Sequence, residues 1–325
     1  MILLLCMTAL LFSSPVTAPQ ARREVKQLLI RYPAFFEGRE DGVILETEHG
    51  ASGIAWYVFA LEPSGWVMVS GDDALTPILA YSREDNYVTS LWQTKSIRGW
   101  LEQHRRRIIH ARESGFPVHE GWRDNTSRAG VKKTTFSNPV EPLIPASWGQ
   151  GTGWNQYCPP DVNGPGGYAL VGCGGVALAQ VLSAFRHPLQ PEGIVSYVDD
   201  DYGSIAVNYN LQDPYAWDEM SMTQADTNNA ELLYHAAVAT EMNFGPTGSS
   251  TSIYKLLGAL ENTFGYSSDA TVVKRGEDDD AWNQMLITEL QSGRPIIYRG
   301  DGGEGTDGHL FNIDGVGVGG AYHLN

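Results

Sequence analysis

Hydrophobic positions fall into runs of two kinds along this chain. From Ile54 to Leu61 ("IAWYVFAL") and from Gly65 to Gly71 ("GWVMVSG") they are short, aromatic and β-branched, with Glu62-Pro63-Ser64 between them. Such runs predict two strands of a hairpin. "TPILAYS", Thr76 to Ser82, predicts a third strand. The charged stretch from about Gln20 to Arg31 predicts a helix. Ile97, Trp100, Leu101 and Ile108 recur at helical spacing up to Ser114, with Gly115 as the stop. Sheet plus helices is the natural assembly of this front part.

The pattern lapses from Arg123 to Pro142, a polar stretch with scattered basic residues that predicts an exposed linker open to proteolysis. After turn-rich Pro145 to Gly167, longer runs take over. "YALVGCGGVALAQVLSAFRHP" predicts a helix apolar almost all round, stopping at His187-Pro188. Ala230 to Met242 predicts a second. Ser252 to Gly265 aligns Ile253, Leu256, Leu257, Leu260 and Phe264 on one face, with Gly265 as the stop. A further helix has Asp280 as its N-cap and Gly293 as its C-cap. Pro295 to Gly300, His309 to Gly317 and Ala321 to Asn325 then predict strands between glycine-rich turns. Helices first and sheet last give an α+β fold. A sheet that starts three strands before Asn325 and closes no edge is expected to be incomplete at that end.

Composition narrows the class. The chain has 325 residues, 42% hydrophobic and 18% charged, enough for two cores and too apolar for global disorder. Its net charge of −16 excludes nucleic acid as the main partner. Up to Asn138 there are 16 Lys/Arg against 15 Asp/Glu, and from Pro139 onward 6 against 23. The contrast is either solvated surface or two domains that attract each other. Ile2 to Phe12 is too short to span a bilayer, and Val16-Thr17-Ala18 fits a signal-peptidase site. Residues 1–18 are therefore expected to be a signal peptide and the chain to be secreted, extracellular or periplasmic, without a membrane segment. Cys6 leaves with the leader. Cys158 and Cys173 remain, as one disulfide or as free thiols.

Cys173 lies at the start of its helix, between Gly172 and Gly174-Gly175. Unpaired N–H groups and the macrodipole favour an anion there, and a thiolate is the reactive form of cysteine. Position alone leaves Cys173 either a nucleophile or an inert core thiol. His309 opens an apolar strand straight after "GDGGEGTDG", either as an aimed base or as an ordinary loop histidine. The two lie 136 positions apart, within the ~130–150 window of one class of cysteine hydrolases.

Four ordered stretches carry a resemblance: "WGQGTGWNQYCPP", "VGCGGVALAQVLSAFRHP", "GHLFNIDG" and "YHLN". Together they resemble the streptopain-like cysteine peptidases, secreted bacterial enzymes of papain-like fold. "SGWVMVSGDDALTPILAYS" is similar to the inhibitory prodomain of that family. The resemblance implies Cys173 as nucleophile, His309 as base, Gln150 as a side-chain donor to the oxyanion and Asn325 as orienter of the imidazole. It also implies Gly248 and Ser249, in "NFGPTGSSTS", as holders of substrate backbone. Without the family, Gln150 reads as a loop glutamine. The chain departs from the pattern at Val171, at Gly174-Gly175-Val176, at Gly153-Trp154 and at Asn312, where the family has valine.

The expected organisation is a signal peptide (1–18), an α+β inhibitory prodomain (19–122) and a linker holding the activation cut (123–142). A papain-like α+β peptidase domain follows (143–325), a helical half plus an antiparallel barrel-like sheet truncated at its C-terminus. The expected reaction is peptide-bond hydrolysis through an acyl-enzyme. Protein or peptide substrates and the chain's own prodomain are the expected partners, with no cofactor, no metal and no membrane. Two alternatives stand beside it: an inactive homologue serving as a binding or inhibitor module, and a different Cys/His acyl transferase.

Overall fold

The chain divides into two units, Met1–Thr134 and Thr135–Asn325. The computed structural model describes residues 13–33, 36–50, 53–83, 86–88, 95–122, 139–276, 278–300, 308–317 and 321–325.

The first unit is a four-stranded antiparallel sheet in the order β1-β2-β3-β4 with two helices. These strands are β1 (Glu40–Gly50), β2 (Gly53–Glu62), β3 (Trp66–Ser70) and β4 (Ile78–Ser82). The central hairpin pairs Tyr57 with Val69 and Phe59 with Val67. Residues Ala55 to Phe59 are all buried, because a helix covers each face of the sheet. Helix α1 (Ala18–Arg31) sets Arg22 over Phe59. Helix α2 (Lys95–Ser114) contributes Ile108 to the cluster around Trp56, Val58 and Met68. A buried ion pair locks α2: Arg112 Nε meets Asp72 Oδ2 at 2.6 Å, and Arg112 also donates to the carbonyls of Ile54 and Gly71. The sequence reading assigned no strand to β1, whose Val43 and Leu45 face solvent.

Residues on the leader side of the boundary expected at Ala18 make contacts within the first unit. Val16 is buried and its N–H donates to the Gly71 carbonyl at 2.9 Å, while the Tyr57 hydroxyl donates to the Val16 carbonyl at 2.9 Å. Ser13–Thr17 is thus built into the first unit. Residues 1–12 lie outside the described residues, as does the linker from 123 to 138.

The second unit forms around α3 (Cys173–Phe185), whose residues from Gly174 to Ser183 are almost all buried. It packs against α4 (Thr227–Ala239), α5 (Ile253–Asn262) and a three-stranded antiparallel sheet. That sheet runs β7 (Ile296–Gly300), β8 (His309–Val316), β9 (Tyr322–Leu324). One face of β8, with Leu310 and Asn312, meets α3. The other, with Phe311 and Ile313, meets α6 (Asp279–Gln291). A hairpin, β5 (Ile194–Asp199) with β6 (Gly203–Asn208), lies between the helices in sequence and has no counterpart in the sequence reading.

Caps explain the helix ends. Asp226 caps α4 by accepting from the Asn229 N–H at 2.8 Å, so the helix starts at Thr227, three residues ahead of the expected Ala230. Ser252 caps α5, and Gly265 (φ +66°) follows it as expected. For α6 the cap is Asp278, which accepts from the Ala281 N–H at 2.9 Å, and not Asp280. The expected linker also ends earlier than Pro142. Val140 exchanges backbone hydrogen bonds with Val316, and the Ile144 N–H donates to Asp314 Oδ2 at 2.9 Å.

Candidate active site

Gly172 sets up the position of Cys173. It holds φ +87°, and an added Cβ would lie 2.7 Å from Met242 Sδ and 3.0 Å from Ser249 Cβ. Only glycine satisfies both the dihedral and the space. Its carbonyl accepts from the Val176 N–H at 3.1 Å, so the helix begins at Cys173 itself. The unusual glycines that follow have a packing reason. A Cβ at Gly174 would lie 2.6 Å from Thr251 Cγ2 and 3.0 Å from Leu310 Cδ1, and one at Gly175 would meet Ala237 of α4 at 3.1 Å. The helix gives up propensity of ~1 kcal/mol per glycine so that α4 and β8 can approach its first turn.

Three other segments meet this turn. The Val171 N–H donates to the Gln150 carbonyl at 3.1 Å, which brings Gln150 beside the residues leading into Cys173. The Leu170 N–H donates to the Gly245 carbonyl at 3.0 Å, and Ser249 Oγ donates to the Leu170 carbonyl at 2.7 Å. The hydroxyl of Ser249 is therefore committed to holding the 243–250 turn in place. Gly248 borders open space, with nothing within 4 Å of an added Cβ. The contact between Gly174 and Leu310 sets the start of β8, and so His309, near the start of α3.

The His309 ring stacks on Phe311, with centroids 6.2 Å apart, and burial lowers its pKa below the ordinary histidine value. Among the described residues no hydrogen bond joins it to Cys173 or to Asn325. Asn325, expected to orient the imidazole, has other partners: its Oδ1 accepts from Gln180 Nε2 and its Nδ2 donates to the Ala146 carbonyl, both at 2.9 Å. Cys158 and Cys173 are both free thiols, so no disulfide joins them. Cys158 is buried, and loss of solvation pushes its thiol up to about 12. Among the described residues no cluster of three His, Cys, Asp or Glu side chains could hold a metal ion, and no helix is long and apolar enough to cross a membrane.

Sequence reasoning missed two buried amides of this unit. Asn155 donates from Nδ2 to the carbonyls of Pro165, Tyr168 and Ala169, bracing the loop after Gln150. Gln180 stands alone as a polar residue within "VALAQVLSAF", and that isolation was the available signal.

A cysteine at the start of a central helix, packed against an antiparallel sheet that opens on a histidine, defines the papain-like fold of cysteine peptidases. The comparisons narrow this to one family. The Peptidase C10 family pattern matches residues 148–325 and the Spi protease inhibitor pattern residues 13–108. The chain belongs to the Peptidase C10 family, as a streptopain-like cysteine peptidase with its inhibitor region ahead of it. It is 25% identical over 346 residues to the thiol protease/hemagglutinin PrtT of Porphyromonas gingivalis, covering 100% of this chain but 38% of that protein. It is also 25% identical over 304 residues to streptopain of Streptococcus pyogenes serotype M1, covering 84% of this chain and 71% of that one. Among solved structures it matches a Prevotella intermedia prointerpain A fragment with TM-score 0.70 and 25% identity, over 89% of this chain and 88% of the other. Active interpain A from the same organism matches with TM-score 0.51 and 28% identity, over 57% and 81%.

Proposed function

We propose that this chain is a secreted zymogen whose second unit hydrolyses peptide bonds, with Cys173 as nucleophile and His309 as base. The observation that carries this reading is the convergence at one helix start of Cys173, the Gln150 segment and the first residues of β8. Cys173 Sγ attacks the scissile carbonyl while His309 accepts the thiol proton. The thioester forms as the C–N bond breaks, and His309 returns the proton to the leaving amine. Water then attacks the thioester with His309 again as base, the C–S bond breaks to release the acid product, and His309 returns the proton to Cys173 Sγ. The Cys173 N–H and the Gln150 side-chain amide serve the oxyanion, where one such donor is worth ~3–4 kcal/mol. Gly248 leaves room for substrate backbone. Burial lowers the pKa of His309, which favours the neutral imidazole that a base must present.

The first unit is the inhibitor of the second, and a cut in the linker upstream of Val140 releases it. The leader is removed ahead of Ser13, since a cut after Ala18 would take Val16 out of the first unit's core. An inactive binding module is the second reading, favoured by the lack of a Cys173–His309 hydrogen bond among the described residues. One experiment separates them. After activation the chain should cleave denatured casein and be labelled at Cys173 by a peptide electrophile, and Cys173→Ala and His309→Ala should each abolish turnover. The first unit, added back, should inhibit, less so in high salt if charge attraction contributes. A folded, activated chain that neither cleaves nor is labelled makes the module reading the right one.

A further inference from the structure

A line of amides runs through the seam between α3 and β8. Gln180 follows Cys173 by two helical turns and is 2% exposed. Asn312 follows His309 by three residues and is fully buried. Asn312 Nδ2 donates to Gln180 Oε1 at 2.9 Å and to the Ala177 carbonyl at 3.0 Å. Gln180 Nε2 donates onward to Asn325 Oδ1 at 2.9 Å and to the carbonyls of Ala146 at 3.3 Å and Trp148 at 3.5 Å. Ala146 and Trp148 lead directly into Gln150. Two side chains thus grip the three segments that carry Cys173, His309 and Gln150.

Cohesion alone does not require this. Leu310 already packs α3 against β8, and an apolar partner at Asn312 would serve as well without desolvating an amide. Among the described residues Asn312 Oδ1 has no hydrogen-bond partner, so the amide is kept at a cost. Apolar contact is non-directional and lets one element slide on another. A hydrogen bond holds its partners to ~2.7–3.2 Å and a narrow range of angles. A ~1 Å displacement of reacting groups can cost ~100-fold in rate.

We infer that the Gln180–Asn312 pair is a positioning element, which fixes the register of the helix bearing Cys173 against the strand bearing His309 and ties the Gln150 segment to both. The inference rests on the peptidase reading above. Neither residue touches substrate. Both act through the backbone they hold.

The test uses the full chain, activated by linker cleavage, with Asn312→Val, Gln180→Leu and the double variant. Each single variant should lower kcat ~10–100-fold, the penalty for a displacement of ~1 Å or less, with KM little changed. Each should also slow alkylation of Cys173 by iodoacetamide and shift the acid limb of its pH profile, which reports the thiolate–imidazole pair. The double variant removes both amides of the pair, so neither is left facing an apolar partner, although Asn325 Oδ1 loses its Gln180 donor and the recovery is measured against Gln180→Leu. It should regain thermal stability without regaining kcat. If kcat instead follows the melting temperature through all three variants, or stays at the wild-type value, the pair is structural and the inference is overturned. Should Gln180→Leu alone fail to fold, the double variant carries the comparison. Wild-type labelling at Cys173 keeps the two readings apart. A labelled, active wild type with unimpaired variants refutes the positioning role alone, whereas an unlabelled, inactive wild type removes both.

Discussion

Three glycines in the second unit allow the space around Cys173 to be measured against backbone strain alone. Gly172 and Gly167 hold nearly the same dihedral, φ +87° and +88°, but an added Cβ at Gly167 meets nothing within 4 Å. Alanine at Gly167 should cost only the backbone term, about 1–3 kcal/mol. Alanine at Gly172 bears the same term and must also displace Met242 Sδ at 2.7 Å and Ser249 Cβ at 3.0 Å. Met242 is fully buried, and the Ser249 hydroxyl is bonded to both Leu170 and Gly245, so neither yields freely. Overpacking of this kind adds about 1–3 kcal/mol, for a total of roughly 2–6 kcal/mol, a large share of a typical ~5–15 kcal/mol stability. Gly248 has neither constraint, and Gly248→Ala should be neutral or stabilising by up to ~1 kcal/mol through the unfolded chain. Urea unfolding of the three variants, followed by tryptophan fluorescence, gives the order Gly172, then Gly167, then Gly248 in loss of midpoint at constant m. Equal losses at Gly172 and Gly167 would refute the close approach of Met242 and Ser249, and with it the reason for glycine before Cys173.

Further outcomes follow from other sites. In a Cys6→Ser background, iodoacetamide should modify Cys173 in the native protein and reach Cys158 only after denaturation, as mass spectrometry of peptides would show, because burial keeps Cys158 protonated up to about 12. His235, buried against Tyr215, is lowered from 6.5 to about 4 by desolvation. The unfolded state then binds more protons than the folded state between those values, so stability is intact above pH ~6.5, falls as pH drops, and has lost roughly 3 kcal/mol below pH ~4. A His235→Phe variant should show a flatter dependence of urea midpoint on pH. Gln150→Ala should lower kcat ~10²–10³-fold with KM little changed, as expected for a donor that acts on the transition state, and steady-state kinetics on a peptide substrate would show it. Breaking the buried Asp72–Arg112 pair with Arg112→Met should destabilise the first unit by about 3–5 kcal/mol, read as a lowered midpoint in thermal unfolding.

The sequence made some of this visible and concealed the rest for physical reasons. Helix α3 and strand β8 were readable because burial on nearly every side demands mostly apolar runs, broken only by single polar residues such as Gln180 and Asn312, and Cys173 and His309 stand at the edges of those runs. Strand β1 was hidden because Val43 is 64% exposed and its burial does not alternate, and β5 because its outward positions include Ile194 and Val198, so apolar residues fall on both of its faces although burial alternates. Three consecutive aspartates made the cap of α6 ambiguous, and geometry chose Asp278. The partners of Asn325 could not be read at all, since Gln180 lies 145 residues away and a glutamine in a helix ordinarily faces water. The resemblance supplied a role for Asn325 that its hydrogen bonds here do not display.

The pairing of the segment around Val140 with the end of β8 has a consequence for synthesis. Ile144 and its acceptor Asp314 are 170 residues apart, so the first residues of the catalytic unit to leave the ribosome wait for nearly the last before they can be placed. At ~5–20 residues per second the wait is roughly 10–30 s. Throughout it, the emerging helices lack the sheet that gives their apolar sides a partner. The first unit is complete well before then. A nascent chain of this design therefore completes the unit that matches the Spi protease inhibitor pattern before the segments around Cys173 can assemble.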